Sequence, residues 1–114
     1  MITIRGQQID DIKQKKVENF IEKANQFLRN NYSDKTDPMT NTQLNGIIEN
    51  AINRAEKYDI ITEQGIISFL EFMFSMSLDY DSNPKTGWTK TILNDHFLSE
   101  PEKIMSIINT LKTI

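Results

Sequence analysis

The stretch TEQGIISFLEFMFSMSL, residues 62–78, decides the fold class. Its apolar side chains cover nearly the whole circumference of a helix, which is typical of a helix packed on several sides. Thr62 is placed to cap the helix, and Glu63 follows in its first turn. The run contains Glu71 and is shorter than the roughly 20 residues that span a bilayer. It therefore predicts a central apolar helix over residues 63–78.

The chain before this stretch shows the spacing of amphipathic helices. Residues 7–31 carry apolar side chains at steps of three to five, which predicts one long helix. Residues 30–38 are polar and contain a proline, which predicts a loop. A second helix is expected to begin near Thr40, because Thr40 and Gln43 have the spacing of a capping box.

The chain after it predicts two further helices. Turn-forming residues fill 79–87, which predicts a loop. A short helix should run from Trp88 to about Phe97, and a capping box at Ser99 and Glu102 should open the last one. With no useful two-residue alternation, the sequence predicts an all-α, compact single-domain bundle of about five helices.

Composition limits the chain to a small class of proteins. Its 114 residues are 38% hydrophobic and 25% charged, which suits one domain over residues 1–114. The absence of cysteine excludes disulfides, thiolate metal sites and a cysteine nucleophile. The first residues lack the apolar stretch of a secretory signal, so we expect a cytoplasmic protein.

Negative charge dominates the middle of the chain. The whole sequence has 16 acidic and 13 basic residues, giving a net charge of −3. Between residues 56 and 83, six acids face one base, Lys57. Such a region repels phosphate, so nucleic acid is not an expected partner. The apolar run is too short to span a bilayer, so a membrane is not expected either. The charge favours another protein with a basic contact surface, and it leaves the oligomeric state open.

One short pattern resembles a calcium loop but does not continue as one. Asp79-x-Asp81-x-Asn83 matches the first three ligand positions of an EF-hand. The sixth position, which needs glycine, is Pro84, and the twelfth, which should be glutamate, is Lys90. We therefore expect no calcium site here, and the three residues can equally be helix caps.

No other pattern points strongly to catalysis or to a cofactor. His96 is the only histidine, which is too few for a zinc or iron site, and no nucleophile elbow exists. Carboxylate pairs such as Glu49 and Glu71 stay open because the sequence does not give their separation. We expect no cofactor, no metal, no catalytic residue and no enzymatic activity.

The loop that follows the apolar helix is the predicted binding site, since loops on a rigid scaffold often carry binding residues. Its acids are expected to be exposed and to contribute little to folding. An anchoring role for Trp88, and a partner docked on the polar face of the first helix, are the alternatives. The predicted partner-binding residues are Asp79, Tyr80, Asp81, Asn83, Trp88, Asp59 and Glu63.

Much of the chain also resembles a known family. The resemblance extends through Ala55-x-x-Tyr58-x-Ile60-x-Thr62-Glu63-x-x-Ile66-x-x-Phe69-Leu70-x-x-Met73 and is clearest in the loop residues Tyr80, Asp81, Pro84 and Trp88. The family consists of small uncharacterised helical proteins encoded beside spike, adaptor and effector genes of bacterial type VI secretion systems. The chain departs from it at Tyr80, where phenylalanine is commoner, and at Asp59, where glycine is expected.

The resemblance implies a binding role and a gene context, without a reaction. The leading hypothesis is a non-enzymatic cytoplasmic accessory protein of a type VI secretion effector module. It would bind an effector or its loading machinery, as an adaptor or chaperone or as an immunity protein. The rival hypothesis is a small acidic inhibitor that blocks a basic nuclease or defence-system surface.

Overall fold

The structure is a computed structural model that describes residues 4–113, with side chains described from residue 16 onward. Between residues 4 and 113 it contains helices and turns but no strand, so the all-α prediction is confirmed. The α-helices are α1 (Ile4–Asn31), α2 (Ser33–Thr36), α3 (Asn41–Lys57), α4 (Glu63–Ser75), α5 (Gly87–Leu93) and α6 (Glu100–Thr113), with a 3₁₀ turn at Pro84–Thr86.

Backbone contacts divide the chain into two compact units, the first ending at Glu49 and the second beginning at Asn50. The boundary falls inside α3, so that helix contributes residues to both units. The sequence predicted one domain over residues 1–114, and that assignment stays a prediction.

In the first unit, hydrogen bonds from Arg29 stabilise the connection between α1 and α3. Its guanidinium donates to the carbonyls of Thr36 and Met39, both at 3.0 Å, and to Oδ1 of Asn41 at 2.8 Å. The short helix α2 lies in this connection, where the sequence predicted only a loop. Thr36 is buried there, and its hydroxyl donates to the carbonyl of Tyr32 at 3.0 Å. The predicted loop thus contains one helical turn, Ser33–Thr36, which is closed by backbone hydrogen bonds to the Tyr32 and Ser33 carbonyls.

The predicted caps of α3 and α6 are present. The Thr40 hydroxyl accepts from the Gln43 backbone N–H at 3.1 Å, and the Gln43 side chain accepts from the Thr40 N–H at 2.9 Å. The Ser99 hydroxyl and Glu102 make the same reciprocal pair before α6. Each box satisfies backbone donors that a helix start leaves unpaired.

Helix α4 contributes more buried hydrophobic residues than any other helix of the second unit. Its Thr62 cap accepts from the Gly65 N–H at 3.0 Å. Seven of its residues are buried, the largest being Phe69, Phe72 and Phe74. The helix ends at Ser75 rather than at the predicted Leu78. The last residues of the apolar run form a turn instead, in which Leu78 is partly exposed and its carbonyl accepts from Arg54 at 2.9 Å.

Helix α5 is also shorter than predicted. It runs over Gly87–Leu93 and stops well before Phe97. The Asn94 and Asp95 N–H groups still bond to carbonyls of α5, and the Asp95 side chain then accepts from the Phe97 N–H at 2.9 Å. Asp95 thus turns the chain out of the helix, a common role for a short acidic side chain.

Candidate functional site

The predicted site is the loop after α4. Its first residue, Asp79, mainly makes hydrogen bonds within the loop. The Asp79 carboxylate accepts from the Ser77 hydroxyl at 3.0 Å and from the Asn83 side-chain amide at 3.3 Å. These two hydrogen bonds, in that order, lower the pKa of Asp79. Asp79 is exposed, as expected, and its backbone carbonyl accepts from the N–H groups of Ser82 and Asn83. Much of its hydrogen-bonding capacity is already used inside the loop.

Asp81 is not the exposed acceptor that the sequence suggested. Only 5% of the residue is exposed, and its carboxylate pairs with the Arg54 guanidinium and accepts from the Tyr58 hydroxyl at 2.9 Å. The expectation that Asp81 is exposed is therefore wrong, and the small contribution expected of an exposed charge does not apply to it. Burial, followed by the bond to Asp81, raises the pKa of Tyr58 to about 12.

Arg54 is the residue that sequence reasoning missed. It also donates to the Leu78 carbonyl, and its guanidinium carbon lies 5.4 Å from the centroid of the Phe69 ring. A cation over an aromatic face is attracted by the ring quadrupole. The Arg54 guanidinium is therefore stabilised by the Phe69 ring as well as by the Asp81 carboxylate. The Arg54 side chain, which belongs to α3, thereby contacts both the loop and α4. The chain separation between Arg54 and Asp81 kept this pairing out of reach of local patterns.

Tyr80 is likewise buried instead of forming a contact surface. It is completely inaccessible, and its ring centroid lies 5.2 Å from that of Phe69 and 5.9 Å from that of Phe72. Its carbonyl accepts from the hydroxyls of Thr86 and Thr89 at 2.6 and 3.1 Å. Its own hydroxyl has no hydrogen-bonding partner in the part of the chain that the structure describes. Burial raises the pKa of Tyr80 strongly.

The other two loop residues have different positions. Asn83 caps the 3₁₀ turn by accepting from the Lys85 N–H at 2.9 Å. Trp88 is half-buried near the start of α5, a position that fits the anchoring alternative and still leaves part of the indole accessible. Of the two predicted loop aromatics, Trp88 is the one with surface to offer a partner.

The corner between α3 and α4 holds the remaining predicted residues, Asp59 and Glu63, both exposed. Asp59 has a left-handed backbone with φ of 62°. Its N–H bonds to the Glu56 carbonyl and the Ile60 N–H bonds to the Ala55 carbonyl, both at 3.0 Å. This is a Schellman motif, which usually has glycine where Asp59 stands. The turn thus keeps the glycine-type conformation although the residue is aspartate.

Two charged side chains from α6 close this corner. The Glu100 carboxylate accepts from the Ile61 N–H at 2.6 Å, from the Thr62 N–H at 3.2 Å and from the Thr62 hydroxyl. Lys103 is buried, and its ammonium group donates to the Tyr58 carbonyl at 2.7 Å. Burial alone would raise the pKa of Glu100, but the bonds from Thr62 and Ile61 outweigh it and lower that pKa.

Two large apolar side chains of the second unit are strongly exposed. Ile61 is 72% exposed and Phe97 is 97% exposed. Each has a carboxylate bound to its own backbone N–H, Glu100 for Ile61 and Asp95 for Phe97. The sequence predicts Phe97 at the end of a helix and assigns no role to Ile61. The sequence signal for exposure is the position of each residue just outside a helix and close to a residue that caps or turns the chain, Thr62 for Ile61 and Asp95 for Phe97.

The first unit has a separate polar groove of about 600 Å³ between α1 and the start of α3. A hydrogen bond of 2.8 Å from the Asn25 amide to Asn45 Oδ1 lies along it. Its lining contains three carboxylates, and it contains Arg29, which donates to Asn25 and to three acceptors at or before the start of α3. The lining residues are Glu18, Ile21, Glu22, Asn25, Gln26, Arg29, Asn41, Asn45 and Glu49.

The two carboxylates considered for acid–base chemistry belong to different units. Glu49 lines the groove of the first unit. Glu71 lies half-buried on α4, where burial raises its pKa. Within the described residues, no three histidine, cysteine, aspartate or glutamate side chains are grouped to hold a metal ion. The same part of the chain has no helix with the length and apolarity needed to span a bilayer.

Comparisons with protein-family models, with curated proteins and with solved structures find no match to this chain.

Proposed function

We propose that this chain is a non-enzymatic, cytoplasmic accessory protein that binds another protein of a type VI secretion effector module. The partner is an effector or its loading machinery, and the role is that of an adaptor or chaperone or of an immunity protein. The sequence resemblance supports the gene context. The exposed Phe97 side chain is the structural observation that carries the binding role.

Phe97 supports protein binding because its exposure is costly in water. An exposed phenylalanine leaves its whole ring hydrated, whereas burial of such a side chain contributes about 1.5–3 kcal/mol. Ile61, in the same unit, adds a second large apolar surface. Isolated apolar residues are common on protein surfaces, but aromatic residues are enriched where partners bind. The charged residues near both side chains supply specificity for the partner.

Co-purification tests the proposal directly. The tagged chain is expressed with each product of its neighbouring genes, and we expect one of them to bind with a Kd at or below the micromolar range. A chain that binds none of them at micromolar concentration would contradict the proposal. Toxicity assays then separate the roles, since an immunity protein protects cells without the secretion apparatus and an adaptor does not.

A second candidate function rests on the charge of the α3–α4 corner. Glu56, Asp59 and Glu63 are all exposed there, with Lys57 as the nearby base. Such a surface suits an inhibitor that covers the basic nucleic-acid-binding face of a nuclease. Inhibition that weakens strongly between about 50 and 500 mM salt supports this candidate, since salt screens exposed charges. Inhibition that does not respond to salt argues against it.

A further inference from the structure

The second unit carries a surface that combines apolar and acidic groups, which we name the corner surface. It consists of Asp59, Ile61, Glu63, Asp95 and Phe97. We infer that the corner surface binds a cationic amphipathic segment of a partner protein, with apolar side chains on Ile61 and Phe97 and lysine or arginine beside the carboxylates. This inference rests on the proposed protein-binding function and specifies its partner.

Ile61 is linked to Glu100 by a hydrogen bond, and Phe97 is linked to it by a short chain segment. The Glu100 carboxylate bonds to the backbone of Ile61 and Thr62, and Lys103 bonds to the Tyr58 carbonyl. Phe97 lies three residues before Glu100, so chain geometry keeps their Cα atoms within about 11 Å. The backbone positions of Ile61 and Phe97 are therefore both close to Glu100, the first residue of α6.

The charge around these side chains is one-sided. Residues 56–63 and 95–103 together contain six acids and two lysines, the exposed Lys57 and the buried Lys103. The Asp95 carboxylate is next to the Phe97 backbone, and Asp59 and Glu63 are each two residues from Ile61. A carboxylate oxygen has several acceptor positions, so one that bonds to a backbone N–H can still accept from a lysine or an arginine. Charge complementarity thus specifies a basic partner.

The same charge argues against the other occupants of such a surface. A second copy of the chain would bring like charges together if it used the same surface, which is unfavourable. Anionic lipid surfaces and nucleic acids would meet repulsion from the same carboxylates. An apolar segment flanked by basic residues buries both exposed side chains and pairs the acids.

Synthetic peptides test this inference without knowledge of the natural partner. The probe is an 18-residue helix-forming peptide of leucine and lysine with leucines on one face. Its two controls are a leucine–glutamate peptide of the same pattern and a leucine–lysine peptide whose leucines are scattered. By fluorescence anisotropy we expect the probe to bind the full chain at least tenfold more tightly than either control.

Variants locate the binding. Ile61→Ser with Phe97→Ser should weaken probe binding at least tenfold. Met105→Ser is the matched control, because Met105 is also a large exposed apolar residue of the second unit, and it should change binding less than twofold. Asp59→Asn with Glu63→Gln should remove most of the salt dependence while the left-handed backbone at residue 59 is kept, since asparagine tolerates it.

Three results would overturn the inference. The first is equal binding of the probe by wild type and by the Ile61/Phe97 variant when both have the same circular dichroism. The second is tighter binding of the leucine–glutamate control. The third is self-association of the wild-type chain that the Ile61/Phe97 variant abolishes. If the peptides fail while a neighbouring gene product still co-purifies, this inference is wrong and the proposed function stands. If neither binds, both are wrong.

Discussion

Glu100 and Lys103 lie one turn apart on α6 and contact the ends of two different helices. Glu100 accepts from the backbone at the start of α4, and Lys103 donates to the Tyr58 carbonyl just after the end of α3. A helix has partial positive charge at its start and partial negative charge at its end, so each side chain has the favourable sign. The α3–α4 corner is therefore stabilised by charges that come from a third helix.

Neutralising Glu100 should destabilise the protein in a pH-dependent way. Glu100→Gln should cost about 1 kcal/mol at pH 7, a typical value for a helix cap. Because hydrogen bonds lower the pKa of Glu100 in the folded state, its contribution is full above the unfolded pKa and is lost as pH falls through the folded pKa. Urea unfolding at pH 7, 4 and 3 measures this.

The variant should approach the wild type in stability at pH 3. Glu56→Gln is the control, since Glu56 is an exposed acid near the same corner with no side-chain hydrogen bond to any described residue. An equal loss of stability in both variants at pH 7 would show that overall charge, and not the cap, is responsible.

Adding a methyl group at two different glycines should have opposite effects. At Gly65 a Cβ atom would lie 2.7 Å from Glu100 Oε2 and 2.9 Å from Ile60 Cγ2, so Gly65→Ala must displace the cap and should cost about 1–3 kcal/mol. At Gly46 no described atom lies within 4 Å of a Cβ, so Gly46→Ala should stabilise α3 by about 0.5–1 kcal/mol. Thermal unfolding of the two variants gives the comparison, and a stabilised Gly65→Ala would contradict it.

Asp59→Gly should stabilise the protein by about 0.5–1 kcal/mol, because glycine adopts a φ of 62° without the steric cost that a Cβ brings. Asp59→Val should be destabilising, since a β-branched residue fits this backbone poorly. Urea midpoints at pH 7 measure both effects. If Asp59→Gly is less stable than wild type, the aspartate side chain contributes more to folding than the backbone strain costs.

The two loop acids should differ sharply in their effect on stability. Asp81→Ala leaves the Arg54 guanidinium without its carboxylate and the Tyr58 hydroxyl without its acceptor, so it should cost at least about 2 kcal/mol. Asp79→Ala removes hydrogen bonds at an exposed position and should cost less than about 1 kcal/mol. Chemical unfolding decides the order, and a reversed order would mean that the Asp81 pair is not formed in solution.

Two tyrosine hydroxyls, the buried one of Tyr80 and the part-buried one of Tyr58, differ in their hydrogen bonding. Tyr80→Phe removes a hydroxyl with no partner among the described residues, so it should leave stability unaltered or raise it by up to about 1 kcal/mol. Tyr58→Phe removes the donor to Asp81 and should cost about 1–2 kcal/mol. Equal losses in the two variants, measured by thermal unfolding, would show that the Tyr80 hydroxyl is hydrogen-bonded after all.

The features that the sequence predicted well are those set by neighbouring residues. The caps at Thr40, Thr62 and Ser99 depend on side chains within a few positions, and the structure contains all three. The burial of Asp81 could not be predicted in this way, since its partner Arg54 is 27 residues away. Hydrophobic periodicity assigns every apolar residue of a helix face to the core, so it could not predict that Phe97 is exposed.

The two charges on α6 also have a consequence for biosynthesis. Glu100 bonds to a residue 39 positions earlier, and Lys103 to one 45 positions earlier. The α3–α4 corner therefore leaves the ribosome before the two side chains that satisfy its backbone do. During that interval the nascent corner lacks its closing charges, and domains generally fold as units once synthesis supplies them. Nascent chains stalled with residues 58–62 outside the ribosome and α6 still inside it should thus be more sensitive to proteases around those residues than chains stalled after α6 has emerged.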